Sequence, residues 1–305
     1  MFRKRKQDGM KDSLDSLSRM AHAEAPALPK GMFSQRTGTG ALPRADAEPL
    51  DPVEQSFLTP YASRFVSDRN APRWHELQEV STGVREHYLG HAPLVDFHRD
   101  TPVAKAFDLL RTRLRQTVKQ HGWTNIAVAS PTRGCGNTFA AVNLAMSLSR
   151  VPSSRTVLMD FNLRNPGIAE AFDMDGRGAI KDYLNGTKPM VRHMARVSDT
   201  LAVGLNSEPD ANAAETLQDP ATLHTLERMR KTLRPEIVLY DMPPLLVHDD
   251  VAAFLPQLDG VLLVSDGTQT MAKHIKECER ILAGQVPLLG VILNRARASS
   301  IETFD

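Results

Sequence analysis

Cysteine is scarce in this chain, with two thiols, Cys135 and Cys278, in 305 residues. Two cysteines make no disulfide framework, and a reducing compartment is the simpler setting. A surplus of either charge is also missing. Thirty-seven Lys and Arg against 36 Asp and Glu leave a net charge of +1. Such a balance creates no global field to draw in nucleic acid or an acidic partner, and none is expected. No apolar run approaches the ~20 residues of a bilayer-spanning helix, and no hydrophobic stretch follows the basic start as it would in a secretory signal. The expected setting is therefore cytoplasmic. Aromatic residues are few, at 6%, and no tyrosine follows Tyr240. What is present, 41% hydrophobic and 24% charged residues, is ordinary for a globular protein. The length suits one large α/β domain with a tail.

Residues 1–90 differ from the rest. Prolines recur at Pro26, Pro29, Pro43, Pro49, Pro52 and Pro60 among small and polar residues, the composition of a largely disordered arm. Within it, Met10, Leu14, Leu17 and Met20 fall near helical spacing, which predicts a short amphipathic helix. The opening "MFRKRK" clusters four basic residues. Contact with anionic lipid, at ~1 kcal/mol per residue, is one reading, too weak to anchor a protein alone. A solvated start is the other.

From residue 91 to 305 a different grammar holds. "AFDLLRTRLRQTVKQ" places Phe107, Leu110 and Leu114 on one face, an amphipathic helix. Six continuous apolar runs follow: "NIAVAS", "TVLMDF", "TLAVGL", "EIVLYD", "GVLLVS" and "LLGVIL". "TFAAVNLAMSLSR" and "MAKHIKECERILAG" read as crossover helices between them. Continuous apolar strands alternating with helices predict a doubly wound, mainly parallel α/β sheet covered on both faces. Ligands of such sheets bind beyond the carboxyl ends of the strands.

The chemistry-bearing residues fall at those ends. "SPTRGCGNTFAAVNL" joins the first run to a helix through Gly134 and Gly136, which permit close backbone approach to an anion at a helix N-terminus. Thr138 stands where a phosphate loop carries its metal-binding hydroxyl, but Asn137 stands where it carries its lysine. Taken alone the loop is a weak match. Two further runs end in carboxylates, Asp160 in "TVLMDFNLRNP" and Asp241 in "EIVLYDMPP". Each would emerge near Thr138, where a metal bridging phosphates needs oxygen ligands. The cluster His248, Asp249 and Asp250 fits no metal template and reads as an acidic helix start.

These elements, in this order, resemble the bacterial tyrosine kinase (BY-kinase) family of capsule and exopolysaccharide synthesis, itself similar to the MinD/ParA P-loop ATPases. The resemblance covers roughly residues 102–295. "SPTRGCGNTFAAVNLA" resembles the family's Walker A, "LMDFNLRNP" its second acidic motif, and "VLYDMPP" its Walker B, while "LLGVILNR" echoes its last strand. It implies a nucleotide site built from Arg133, Gly134, Cys135, Gly136, Asn137 and Thr138, with Asn294 near the base. It implies magnesium on Thr138, Asp160 and Asp241, and Asp160 as the candidate catalytic residue.

The departures cluster at that chemistry. Asn137 replaces the lysine that neutralises phosphate charge, and a charged hydrogen bond of ~1.5–3 kcal/mol corresponds to roughly ten- to a hundredfold in affinity. Arg133 lies nearby in the loop and could offset part of the loss, but it does not occupy the lysine site of MinD/ParA loops, where this chain has Thr132. Asn162 replaces the second aspartate of the family's D-x-D, and Cys135 replaces a glutamate, either as a redox-sensitive thiol or as a small residue in a tight loop. In the helix before the first strand, Lys105 and Asp108 reverse the signs of the family's self-association motif while Arg111 is kept. The tyrosine-rich tail that the family phosphorylates is absent after Tyr240. The resulting expectation is a degenerate kinase fold with weakened ATP, ADP and magnesium binding. It would be a regulator or scaffold for an inner-membrane chain-length or co-polymerase protein, peripheral to the membrane through that partner and capable of homo-oligomers. An active kinase acting on a partner's tyrosines is the alternative. A MinD/ParA-like positioning ATPase is the third reading and would need the loop lysines that this chain lacks.

Overall fold

The computed structural model describes residues 73–80, 100–152 and 154–296. The predicted helix around residues 10–20, the basic start and the end of the chain after residue 296 lie outside them. All the described residues fall in one compact unit, Asp51–Asp305.

Helix α1 (Pro102–His121) opens the fold and shows why its boundaries fall where they do. Thr101 caps it by accepting from the Ala104 N–H, Pro102 occupies the first turn, and Gly122 closes it at φ 70°. Proline at the start and a left-handed glycine at the end are the cheapest ways to begin and stop a helix. Strand β1 (Asn125–Ala129) follows, then α2 (Asn137–Ser149), β2 (Thr156–Asp160), and the one-turn helices α3 (Ile168–Ala171) and α4 (Lys181–Leu184). Next come β3 (Met194–Arg196), β4 (Leu201–Gly204), α5 (Ala213–Gln218) and α6 (Pro220–Leu233). The chain then forms β5 (Ile237–Asp241), α7 (Asp250–Phe254), β6 (Gly260–Asp266), α8 (Ala272–Leu282) and β7 (Leu288–Asn294).

The seven strands are ordered β3-β4-β2-β5-β1-β6-β7. All neighbours are parallel except β3 and β4. The six predicted runs are six of these strands. The seventh, β3, is three residues long and was not predicted, because "MAR" carries too short a pattern to signal a strand. Both faces of the central strands are covered, as their unbroken apolar runs require, whereas the edge strand β7 leaves Val291 and Leu293 exposed. On β1, Ala127 and Ala129 enter a core with Leu226, Met229, Phe254 and Leu282, while Ile126 and Val128 enter another with Phe107, Leu114, Leu144 and Leu148. Alternate residues of one strand thus fill opposite layers, the signature of a doubly wound P-loop fold. No helix among the described residues is long and apolar enough to cross a membrane.

The reversed charges of α1 have a local use. Asp108 accepts from Arg111 Nη1 at 3.0 Å and from Ser147 Oγ at 2.7 Å, and pairs with Arg150. Arg111 also donates to the Ser147 carbonyl. Asp108 and Arg111 therefore pin α1 onto α2 within one chain.

One correction concerns the arm. Residues 73–80, placed by the sequence reading within the 1–90 arm, pack on the domain. Trp74 is 1% exposed, donates its indole N–H to the Asp199 carbonyl at 2.8 Å and lies under the Arg155 guanidinium at 5.2 Å. The Val80 N–H bonds to the Arg196 carbonyl, adding a bridge beside β3. A single tryptophan among prolines and charges gives no periodicity to read, yet it carries enough apolar surface to hold its segment on the core. Trp74→Ala should destabilise the domain by about 3–5 kcal/mol. Urea unfolding of the full chain measures this, and an unchanged midpoint would return the segment to the arm.

Candidate functional site

The carboxyl ends of β1, β2 and β5 form the floor of the site. Asp160 and Asp241 are register partners on neighbouring strands, so two carboxylates emerge side by side. The phosphate loop rises from β1 beside them. Gly134 and Gly136 hold φ of 77° and 88°, values that side-chain-bearing residues rarely adopt. At Gly136 a Cβ would also stand 2.3 Å from Asn294 Nδ2. Asn294 uses that amide to donate to the Cys135 carbonyl at 2.8 Å. It therefore buttresses the loop from β7, and it is not among the residues lining the cleft.

The loop's last two residues turn onto Asp241. Thr138 Oγ1 donates to Asp241 Oδ2 at 2.6 Å. Asn137 Nδ2 donates to Asp241 Oδ1 at 3.0 Å and to the Met242 carbonyl at 2.8 Å. Both protons of the Asn137 amide are thus spent inside the protein, and the residue is 8% exposed. A lysine here would reach outward, whereas the short amide turns inward.

Asp160 is differently placed. Its Oδ2 accepts from the Gly167 and Ile168 N–H groups at 3.0 Å each, while its Oδ1 is buried without a hydrogen-bond partner. An orphaned carboxylate oxygen beside a second carboxylate and a hydroxyl is the donor set that suits a hard divalent cation. Asp160, Asp241 and Thr138 therefore fit magnesium. Among the described residues no group of three or more His, Cys, Asp or Glu is placed to hold a metal by itself. Magnesium commonly takes only one or two carboxylates and completes its shell with phosphate and water.

Burial raises the pKa of both carboxyls. That of Asp241 is pushed up to about 7 against its bonds from Thr138 and Asn137, and that of Asp160 rises through burial and then through the Asp241 charge.

Above this floor opens a cleft of about 800 Å³, within the usual range for ligand sites. Gly134, Gly136, Asn137, Thr138 and Asn162 line it, and so do three arginines, Arg133, Arg164 and Arg295. Arg164 forks onto Asp250 through Nε and Nη2 at 2.8 and 2.9 Å. Asp250 is thus an ion-pair partner at the start of α7. Arg295 pairs with Asp266 and donates to the Gly134 carbonyl at 2.9 Å. Arg133 meets His248 Nε2 at 3.0 Å. Cys135 is fully buried, with Sγ 3.5 Å from Thr132 Oγ1 and 3.6 Å from Thr270 Oγ1, so it serves as a small residue enclosed by the loop. Sequence reasoning missed Arg295 and the place of His248 on the cleft. Arg295 directly follows the Asn294 motif, but its approach to the loop depends on its positive φ of 53°, which no motif announces.

No protein-family model matches the chain. In sequence it is similar to EpsB of Ralstonia nicotianae, at 25% identity over 252 residues, aligning 81% of this chain with 32% of that protein. It is 28% identical to the succinoglycan biosynthesis transport protein ExoP of Rhizobium meliloti, over 59% of this chain and 23% of ExoP. It is 27% identical to tyrosine-protein kinase ptk of Acinetobacter johnsonii, over 57% of this chain and 24% of that one. The chain thus spans about a third or less of the length of these relatives. Among solved structures, the VpsO kinase domain matches with a TM-score of 0.55 at 25% identity, over 63% of this chain and 98% of that domain. The kinase domain of the Escherichia coli tyrosine kinase ETK shares the fold, with a TM-score of 0.58 at 22% identity, over 68% of this chain and 82% of that one. The resemblance read from the motifs holds in sequence and in fold.

The carboxylate pair predicts a pH dependence of stability. A group whose folded pKa is raised stabilises the fold fully below its ordinary value of 3.8 and loses that contribution as pH climbs to about 7. In magnesium-free buffer, Asp160→Asn should therefore raise the melting temperature at pH 8, by roughly 2–4 °C per kcal/mol relieved. The gain should shrink towards pH 5. Thermal denaturation at the two pH values checks this, and an equal shift at both would deny the charge repulsion.

Proposed function

We propose that this chain, built on the bacterial tyrosine kinase fold, is a kinase-like component of exopolysaccharide or capsule assembly that has lost phosphoryl transfer. It keeps a weakened magnesium–nucleotide cleft and acts as regulator or scaffold for a separate inner-membrane chain-length or co-polymerase protein, at the membrane's cytoplasmic face. The carrying observation is Asn137, whose amide is committed to Asp241 and the Met242 carbonyl. Phosphoryl transfer rests on charge stabilisation of the moving group, and a neutral, inward-turned amide supplies none. The names of ExoP and ptk support the pathway and the kinase lineage.

In this reading the glycine loop and the first turn of α2 present N–H groups to phosphates. Magnesium, when bound, supplies phosphate charge neutralisation. Asp160 and Asp241, at the ends of β2 and β5, and Thr138, in the first turn of α2, would hold it. Retention of those three residues favours a second reading, an active kinase directed at a partner's tyrosines.

Two measurements separate the readings. Asn137→Lys should tighten Mg·ADP binding by roughly ten- to a hundredfold in calorimetry. The unaltered chain should transfer no label from γ-labelled ATP to tyrosine, with or without the cytoplasmic segment of a co-polymerase. Transfer that disappears in Asp160→Ala would establish the kinase instead.

A further inference from the structure

The three cleft arginines are not equivalent. Arg164 and Arg295 are each paired with a carboxylate whose side chain is 0% exposed, Asp250 and Asp266. Drawing either arginine onto a ligand would strip a buried carboxylate of its cation, a strongly unfavourable step. Each also braces backbone, Arg164 at the Ala211 carbonyl and Arg295 at the Gly134 carbonyl. These two charges are spent on structure.

Arg133 is the exception. It is exposed on the loop, and among the described residues no carboxylate lies within ion-pair distance of it. Its side-chain contact is His248 Nε2 at 3.0 Å. A guanidinium can only donate, so this contact is a hydrogen bond in which the ring nitrogen accepts, and it sets no charge against Arg133 that a move would orphan. Arg133 can therefore move onto an anion without orphaning a buried charge. Its backbone meanwhile stays fixed, because Gln269 Nε2 donates to the Arg133 carbonyl at 3.2 Å.

We infer that Arg133, held over the cleft by His248, supplies the cation that meets the outermost phosphoryl group of a nucleoside triphosphate, in place of the absent lysine. The inference rests on the reading of the cleft as a nucleotide site and assigns Arg133 its role there. Arg133 precedes the two loop glycines and is exposed on the cleft, whereas Asn137 follows them and is buried against Asp241. Such a cation favours a triphosphate over a diphosphate without restoring the charge beside Asp241 that transfer requires. His248 is a positioning residue in this arrangement.

Calorimetry of the full chain with Mg²⁺ and ADP, and with Mg²⁺ and a non-hydrolysable ATP analogue, tests this. Arg133→Gln should weaken the analogue by about tenfold or more and leave ADP within about twofold, while Arg133→Lys recovers part of the loss. His248→Ala should lower the preference for the analogue, and His248→Gln, which keeps an acceptor, should retain it. Equal weakening of both nucleotides by Arg133→Gln, or none, overturns the inference and leaves the nucleotide site standing. A wild-type chain that binds neither nucleotide overturns the site and the inference together.

Discussion

The hydrogen bonds from Asn137 to Asp241 and to the Met242 carbonyl set the character of this molecule. A phosphate loop normally directs a cation outward into the space a triphosphate occupies. Here the same position sends a neutral amide down onto the neighbouring strand end, and with Thr138 it occupies both oxygens of Asp241. Two buried carboxylates, Asp160 and Asp241, then stand side by side, and among the described residues no Lys, Arg or His forms an ion pair with either. On the proposed reading that floor would suit a divalent ion and lack the charge needed to stabilise a phosphoryl group in flight.

The sheet builds the framework around that floor. The sheet order brings β2, β5 and β1 together so that their ends converge, and α2 starts at the loop they support. Asn294 holds the loop from β7, and the space that Gly136 leaves is filled by the Asn294 side chain. Arg164 and Arg295 neutralise the buried carboxylates at the rim. Under the proposed function this framework serves binding without transfer. Helix α1 tells a similar story, since Asp108 and Arg111 now tie it to α2 within the chain.

Much of this was legible in the sequence, for identifiable reasons. Five of the strands announced themselves because a strand buried on both faces must be apolar at every position, as Ile126 to Ala129 are, and β7 did so by its apolar run although Val291 and Leu293 are exposed. The loop, Asp160 and Asp241 were legible because phosphate and metal chemistry fix residue types at strand ends. Trp74 was not legible, because one large apolar residue in a polar stretch shows no period, and its burial depends on partners far along the chain such as Asp199. The direction of the Asn137 amide was equally hidden. Its identity is a matter of sequence, but its partners belong to a strand a hundred residues away. The pairing of Arg133 with His248 joins two loops that only the fold brings together.

A crystal structure of the chain with Mg²⁺ and a non-hydrolysable ATP analogue tests the central claim most directly. The account predicts that the Asn137 amide stays on Asp241 and the Met242 carbonyl, with the metal drawing on Asp160 Oδ1. An Asn137 side chain swung outward onto the phosphoryl oxygens, leaving Asp241 free of its amide, would contradict it.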